Sequence, residues 1–267
     1  MEIQWSLVLF TVLAGAGSWM FVGAAVSEFT GRGKDASFLT SIVAIVLIVA
    51  GGLCSVTHLS HPTRMLGAIS HPTSGIAIEA FMLGFTCLAI IVYLVLMKRS
   101  SSDQARKVVA VIGAVLGILF SYLMGESYMM AARSTWNHFI VPLEYAVTSM
   151  VLGVSLYLLL LACRKENEAV SFYGLPLAVA AAISLIVGVI YGTFAGLHGE
   201  VVQFWGCVVV LGAIVPLVCG AVLMKKSDLA LALTVCSGAG ALIGSVVFRM
   251  LMWASGVGLY TFFGALG

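Results

Sequence analysis

Charge is what this chain has least of. Only 9% of its 267 residues are Asp, Glu, Lys or Arg, whereas 61% are apolar, and the mean hydropathy is +1.13. Soluble domains carry roughly a quarter charged residues. A globule this poor in charge has too little polar surface to cover itself, which excludes a soluble enzyme, a nucleic-acid binder and a disordered chain together. Paired cysteines are also missing. Cys54, Cys87, Cys163, Cys207, Cys219 and Cys236 stand singly inside apolar runs, so neither a zinc site nor an iron–sulfur ligand set is spelled out, and they read as small core residues. The strict apolar–polar alternation of a membrane β-barrel is lacking too. An all-α integral membrane protein is left.

What is present is a series of long apolar runs. A span needs about 20 such residues, and eight stretches qualify, at 4–27, 38–58, 74–97, 108–130, 141–163, 175–197, 205–224 and 229–254. Backbone groups in lipid must be satisfied within each segment, so all eight are expected to be helices of one membrane domain over 1–267. Glu2, with no Lys or Arg, precedes the first run, which is too long for a secretion signal and is expected to stay in the protein. Ten of the thirteen Lys and Arg follow odd-numbered spans: Arg32 and Lys34; Lys98, Arg99, Arg106 and Lys107; Arg164 and Lys165; Lys225 and Lys226. The positive-inside rule makes those connections cytoplasmic and puts both termini on the other side. Short connections favour antiparallel neighbours, and two four-helix bundles divided near 98–107 or 164–174 are the expected arrangement. Close-spaced glycines (Gly113 and Gly117; Gly238, Gly240 and Gly244) suit helix packing.

The remaining chemistry falls on one side. Arg64, Arg133, Arg249, Glu79, Glu126, Glu144, Glu200 and all five histidines (His58, His61, His71, His138, His198) lie near the outer helix ends or in outer connections. Ionisable groups within spans are costly and mark functional sites by default. The densest stretch runs from Thr57 through His58, His61, Pro62 and Arg64 to His71, Pro72 and Ser74, followed by Glu79. Ser74 or Thr73 can cap the third helix, placing Glu79 about 8 Å inside it at 1.5 Å per residue. An imidazole that accepts a phenolic proton, a fixed guanidinium and a carboxyl sunk in the membrane make a quinol-site composition. His58, Arg64, Glu79 and His61 are the candidate residues for quinol binding and proton transfer; Glu126, Arg133 and Arg249 form a second tier. His71 reads as an interface residue and His138, after Trp136 and Asn137, as part of the aromatic belt. Bis-histidine haem needs two histidines at matching depth; only His58 and His198 come near, so no haem is expected. Without haem or a cluster, electrons must leave to a partner docked on the outer, non-cytoplasmic side. A small-solute transporter would place its polar residues near the midplane and is the alternative, together with a purely structural anchor that has no quinol site of its own.

The stretch His58-Leu59-x-x-Pro62-x-Arg64 with Glu79, and Thr135-Trp136 followed by Pro142-Leu143, resembles the membrane-anchor subunit family of dimethyl-sulfoxide reductase, within the polysulfide-reductase-like quinol-interacting anchors. The resemblance implies an anchor in the cytoplasmic (inner) membrane that oxidises menaquinol in anaerobic respiration. It implies as partners a molybdopterin catalytic subunit and an iron–sulfur subunit, and makes His58 the quinol-site histidine and Glu79 its acidic companion. Many family members carry an acid and a base around a Leu-Ile-Gly in the last helix. Here Leu242-Ile243-Gly244 has neither beside it, and the charge is Arg249, five residues on.

Overall fold

A computed structural model describes residues 2–57, 67, 70–99 and 102–256. Its eight long helices are α1 (Trp5–Thr30), α2 (Ser37–Val56), α3 (Gly75–Lys98), α4 (Asp103–Glu126), α5 (Ile140–Cys163), α6 (Asn167–Phe194), α7 (Val201–Leu223) and α8 (Ala230–Ala254). Each is long and apolar enough to cross a membrane. The protein is a multi-pass membrane protein.

The apolar runs located the helices and misjudged several ends. The fourth helix spans 103–126 rather than 108–130, and the sixth begins at 167 rather than 175. Hydropathy marks the part of a helix that lies in lipid, whereas the hydrogen-bond ladder continues into polar sequence. Thus Arg106 and Lys107 belong to the first turns of α4, which Ser102 caps by accepting from the Ala105 N–H at 3.3 Å. Only residues 164–166 separate α5 from α6, and α6 passes through Pro176 without ending. Val201–Ile214 of α7 is wound as a π-helix, an outcome that periodicity did not reveal.

α1 and α5 are the covered helices, each with 67% of its central window buried, against 28% and 22% for α2 and α3. α1 packs on α2, α4 and α5, and α5 on α6 and α8. Small residues permit the approach: Gly51 of α2 lies against the α1 backbone, where a Cβ would stand 2.8 Å from the Phe10 carbonyl oxygen and 2.9 Å from the Ala14 nitrogen.

At the end where α1 meets the start of α2, the end of α3 and the start of α4, a single buried acid gathers its partners. Glu28 accepts from the Tyr93 hydroxyl at 2.8 Å and pairs with Lys34 at 3.2 Å and Arg106 at 3.7 Å, its side chain wholly covered. Sequence reasoning overlooked Glu28, because the hydropathy window closed at residue 27 and left it in a connection. Removing one member of a buried pair strands the others and costs about 3–5 kcal/mol. Lys34 is partly exposed, which lowers the expected loss for Glu28→Ala to about 2–3 kcal/mol. Thermal denaturation of the purified protein in detergent measures it, and an unchanged midpoint would show the cluster to be dispensable.

Candidate functional site

The opposite end, where α2 ends and α3 begins, holds the cavity. Ser74 caps α3 as its sequence position suggests, accepting from the Ala77 N–H at 3.3 Å. The first turns of α3 then carry Glu79 to the cavity wall. Across from it, the Ser127 hydroxyl at the end of α4 donates to Glu79 Oε1 at 2.6 Å and shares its proton with the Met124 carbonyl at 3.0 Å. That hydrogen bond fixes one carboxyl oxygen.

The cavity encloses about 730 Å³, within the range of sites that take a drug-sized organic molecule. The starts of α1 and α3, the ends of α2, α4 and α8, and the α4–α5 connection line it. Most of the wall is aliphatic or aromatic. Glu79, Ser127 and Arg133 are its polar groups of consequence, joined by Ser55 and Ser74.

The α4–α5 connection forms the aromatic side. Trp136 is buried and donates its indole N–H to the Met252 carbonyl at 2.8 Å, Thr135 donates to the Ser255 carbonyl at 2.9 Å, and Arg133 donates to the Gly256 carbonyl at 3.3 Å. These three bonds satisfy carbonyls that the end of α8 leaves without helical partners. Arg133 also lies 4.3 Å from the Trp136 ring centroid, a cation–π contact that holds the guanidinium at the cavity edge. Trp136, Trp253 and Tyr128 meet edge to face, with centroids 5.1–6.1 Å apart. Burial, then Tyr145 and Glu79, push the Tyr128 phenol well above its ordinary range, so it stays protonated and uncharged at neutral pH.

Of the residues singled out in the sequence, the structure thus brings Glu79 and Arg133 to one cavity. His58, His61 and Arg64 lie outside the described residues; Val56, two positions before His58 in the sequence, lines the cavity. Glu126 is exposed at the end of α4 and is not among the lining residues. Arg249 is fully buried beneath the site, and its hydrogen bonds run to α1, α5 and its own helix. Glu144 is fully buried as well, and neither carboxyl oxygen has a hydrogen-bond partner among the described residues. His138 accepts from the Ile140 N–H at 3.2 Å and stacks near Phe194. Ser127, Tyr128 and Trp253 escaped the sequence reading: a serine or an aromatic ring at a helix end carries no signal until the helices are packed.

The arrangement offers a largely apolar space with a carboxyl on one side and a guanidinium on an aromatic wall. It suits a flat, oily molecule that carries hydrogen-bonding oxygens. Comparison with known proteins agrees on the kind of protein. The sequence profile of the family described as "DMSO reductase anchor subunit (DmsC)" matches residues 1–255. Over 185 residues the protein is 27% identical to the C subunit of the anaerobic dimethyl sulfoxide reductase of Haemophilus influenzae. That match covers 67% of this sequence and 66% of the relative, just under two thirds of the relative's length. With the subunit of the same name from Escherichia coli it shares 24% identity over 209 residues, covering 75% of this sequence and 73% of the relative. The chain belongs to the dimethyl-sulfoxide-reductase anchor subunit family.

Proposed function

We propose that this protein is the membrane anchor of a molybdopterin oxidoreductase complex and oxidises menaquinol in the cavity beside Glu79. The observation that carries the proposal is the cavity itself: it is large enough for a quinone head group and apolar on most of its wall, with Glu79, Ser127 and Arg133 as its main polar groups. Oxidation of a quinol breaks two O–H bonds, releases two protons and surrenders two electrons. Glu79, anchored by Ser127, takes one proton, and His58 takes or orients the other. Arg133, or Arg64 in the α2–α3 connection, holds a quinol oxygen by donating to it. The electrons pass to an iron–sulfur subunit and from there to the molybdopterin subunit.

Topology sets where those partners dock. The basic residues after the odd-numbered helices put that face in the cytoplasm. The cavity end, with both termini, then faces the non-cytoplasmic side of the inner membrane. α1, α2 and α3 supply most of the cavity wall, with Ser127 and Tyr128 just past the end of α4, and two four-helix groups, α1–α4 and α5–α8, are the arrangement that goes with this reading. Protons released at that end leave on the side where the partners sit, so the step moves no charge across the bilayer. A transporter would concentrate its polar groups at the midplane, whereas the polar lining here gathers at one end of the helices.

The test is made on the assembled complex. It is purified in detergent through this subunit and assayed for iron, molybdenum and quinol oxidation, with His58→Ala carried in parallel. We expect iron and molybdenum to co-purify in both. In His58→Ala the quinol oxidation rate is expected to fall about a hundredfold or more, the usual loss when a positioned acid–base group is removed. An assembled His58→Ala complex with wild-type turnover overturns the assignment, and isolation of the protein without metal-bearing partners overturns the anchor role.

A further inference from the structure

Two of the buried polar groups that have no hydrogen-bond partner among the described residues are neighbours: the Glu144 carboxyl of α5 and the Tyr191 hydroxyl of α6. Glu144 is 0% exposed and Tyr191 1%. α5 packs along α6, and the two groups lie within electrostatic reach of each other. Glu144 is the fifth residue of α5 as Glu79 is the fifth of α3, so at 1.5 Å per residue each acid lies about 6 Å inside its helix. Glu79 lines the cavity and Glu144 does not. No side chain of α6 stands against the second acid at Gly188, one turn before Tyr191. The three heavy atoms nearest to a Cβ built there all belong to the Glu144 carboxyl: Oε1 at 3.3 Å, Oε2 at 3.8 Å and Cδ at 3.9 Å. Arg249 of α8 is within electrostatic reach of Glu144. Its N–H groups nevertheless go to Thr11, Thr148, Ser149 and Ser245. A carboxylate that accepts no hydrogen bond would bear the full cost of burial, so Glu144 keeps its proton. The neutral acid then has an O–H to give and a C=O to satisfy, and the phenol can do both. Buried polar groups are paired with protein or with ordered water, and an internal water takes two to four such partners.

We propose that an internal water bridges Glu144 and Tyr191, and that this hydrated acid is a proton-exchange site in the core between α5, α6 and α8. The water sits beside Gly188, accepts from the carboxyl O–H and donates to the Tyr191 oxygen. Ser255, half-buried at the end of α8, lies within reach of the Tyr191 hydroxyl, and its own proton goes to the Met252 carbonyl at 3.1 Å. Water, Tyr191 and Ser255 thus make a short polar route from Glu144 to the aqueous phase at that end of the helices. In the exchange the Glu144 O–H breaks as the water takes its proton. The water gives one of its own to Tyr191, and Tyr191 passes its former proton on through Ser255. No electron moves, and each oxygen along the route ends with the protons it began with. The carboxylate left behind lies within reach of the Arg249 charge until a proton returns by the same route. The site does not depend on quinol chemistry and would stand in an anchor that binds no quinol.

The experiment is infrared spectroscopy of the detergent-purified complex, transferred from H2O to D2O. A protonated carboxyl has a C=O band well separated from that of a carboxylate, and deuteration lowers its frequency. Such a band is expected in the wild type, shifting promptly in D2O, and is expected to be missing from Glu144→Gln. If Glu144→Gln fails to assemble, Glu144→Asp, which keeps the carboxyl and displaces its band, makes the assignment. Gly188→Ala sets a methyl group against the place of the water. Its band should rise to the frequency of an acid with no hydrogen bond, and its deuteration should slow. Tyr191→Phe keeps the ring packing and removes the hydroxyl, so the band should stay and its deuteration should slow. A spectrum without a Glu144-dependent carboxyl band overturns the proposal, because the acid is then ionised. A wild-type band that does not deuterate, or deuteration as fast in Gly188→Ala and Tyr191→Phe as in the wild type, overturns it as well.

Discussion

Glu79→Gln should lower quinol oxidation by about two to four orders of magnitude, the range for loss of a positioned proton acceptor, while the complex assembles normally. Gln is isosteric, and its amide oxygen still accepts the Ser127 proton that Glu79 Oε1 accepts at 2.6 Å. The hydrogen bond between α3 and the end of α4 is kept, and only the ability to take a proton from the quinol is removed. The rate constant should therefore fall more than the quinol KM rises. Ser127→Ala gives the complementary result. The carboxyl remains but loses its anchor, so the expected loss is smaller, about tenfold, from mispositioning alone. Stopped-flow oxidation of a menaquinol analogue, with assembly read independently from co-purified metal, checks both. A Glu79→Gln complex that turns over at the wild-type rate removes Glu79 from the chemistry, whatever Ser127→Ala does.

Why Glu79 was legible in the sequence and its partners were not follows from what each residue contributes. A carboxyl five residues into an apolar run has a large desolvation cost, so its position alone asks for a function. Ser127, 48 residues away, costs nothing where it stands and gains meaning only when α3 and α4 lie side by side. The aromatic wall is similar. Trp136 was visible as a member of a Thr-Trp…Pro segment, but its bond to Met252, 116 residues on, is a product of packing. The eight spans were legible because the bilayer imposes a length on each. The ends of α4 and α6 were misplaced because hydropathy records lipid depth, and Ser102 and Asn167 start those helices in polar sequence. Arg133 and Arg249 were indistinguishable in the sequence, both chosen by depth and side. The structure separates them, one at the rim of the cavity and the other in the core between α1, α5 and α8.

That separation predicts what substitution of Arg249 does. The guanidinium is fully buried and donates to Thr11 Oγ1 at 2.8 Å, the Thr11 carbonyl at 3.3 Å, Ser245 Oγ at 2.7 Å, the Ser245 carbonyl at 3.0 Å, Ser149 Oγ at 3.1 Å and Thr148 Oγ1 at 3.3 Å. It also lies 4.6 Å from the Tyr145 ring centroid. One planar fork thus ties α1 and α5 to α8 through neutral acceptors alone. Thr148, which receives one of these bonds, donates its own proton to the Glu144 carbonyl one turn back at 2.7 Å. The Glu144 carboxyl, in the same core, has no hydrogen-bond partner among the described residues and lies within electrostatic reach of Arg249. Arg249→Leu takes away all six bonds and leaves the Glu144 carboxyl buried without a hydrogen-bond partner among the described residues. The expected cost is about 3–5 kcal/mol, the penalty for stranding buried polar partners, seen as a fall of roughly 10 °C or more in the thermal midpoint of the detergent-purified complex. Arg249→Lys should recover little, because an ammonium keeps the charge and cannot make the forked contacts to three helices. Arg249→Leu combined with Glu144→Leu should recover more than Lys does, since the double variant also removes the buried Glu144 carboxyl, which has no hydrogen-bond partner among the described residues, and the double-mutant cycle reads the coupling between the two residues directly. A midpoint unchanged in Arg249→Leu would mean that the packing of α1, α5 and α8 holds without the fork; strictly additive single and double variants would mean that Glu144 and Arg249 stabilise the core independently.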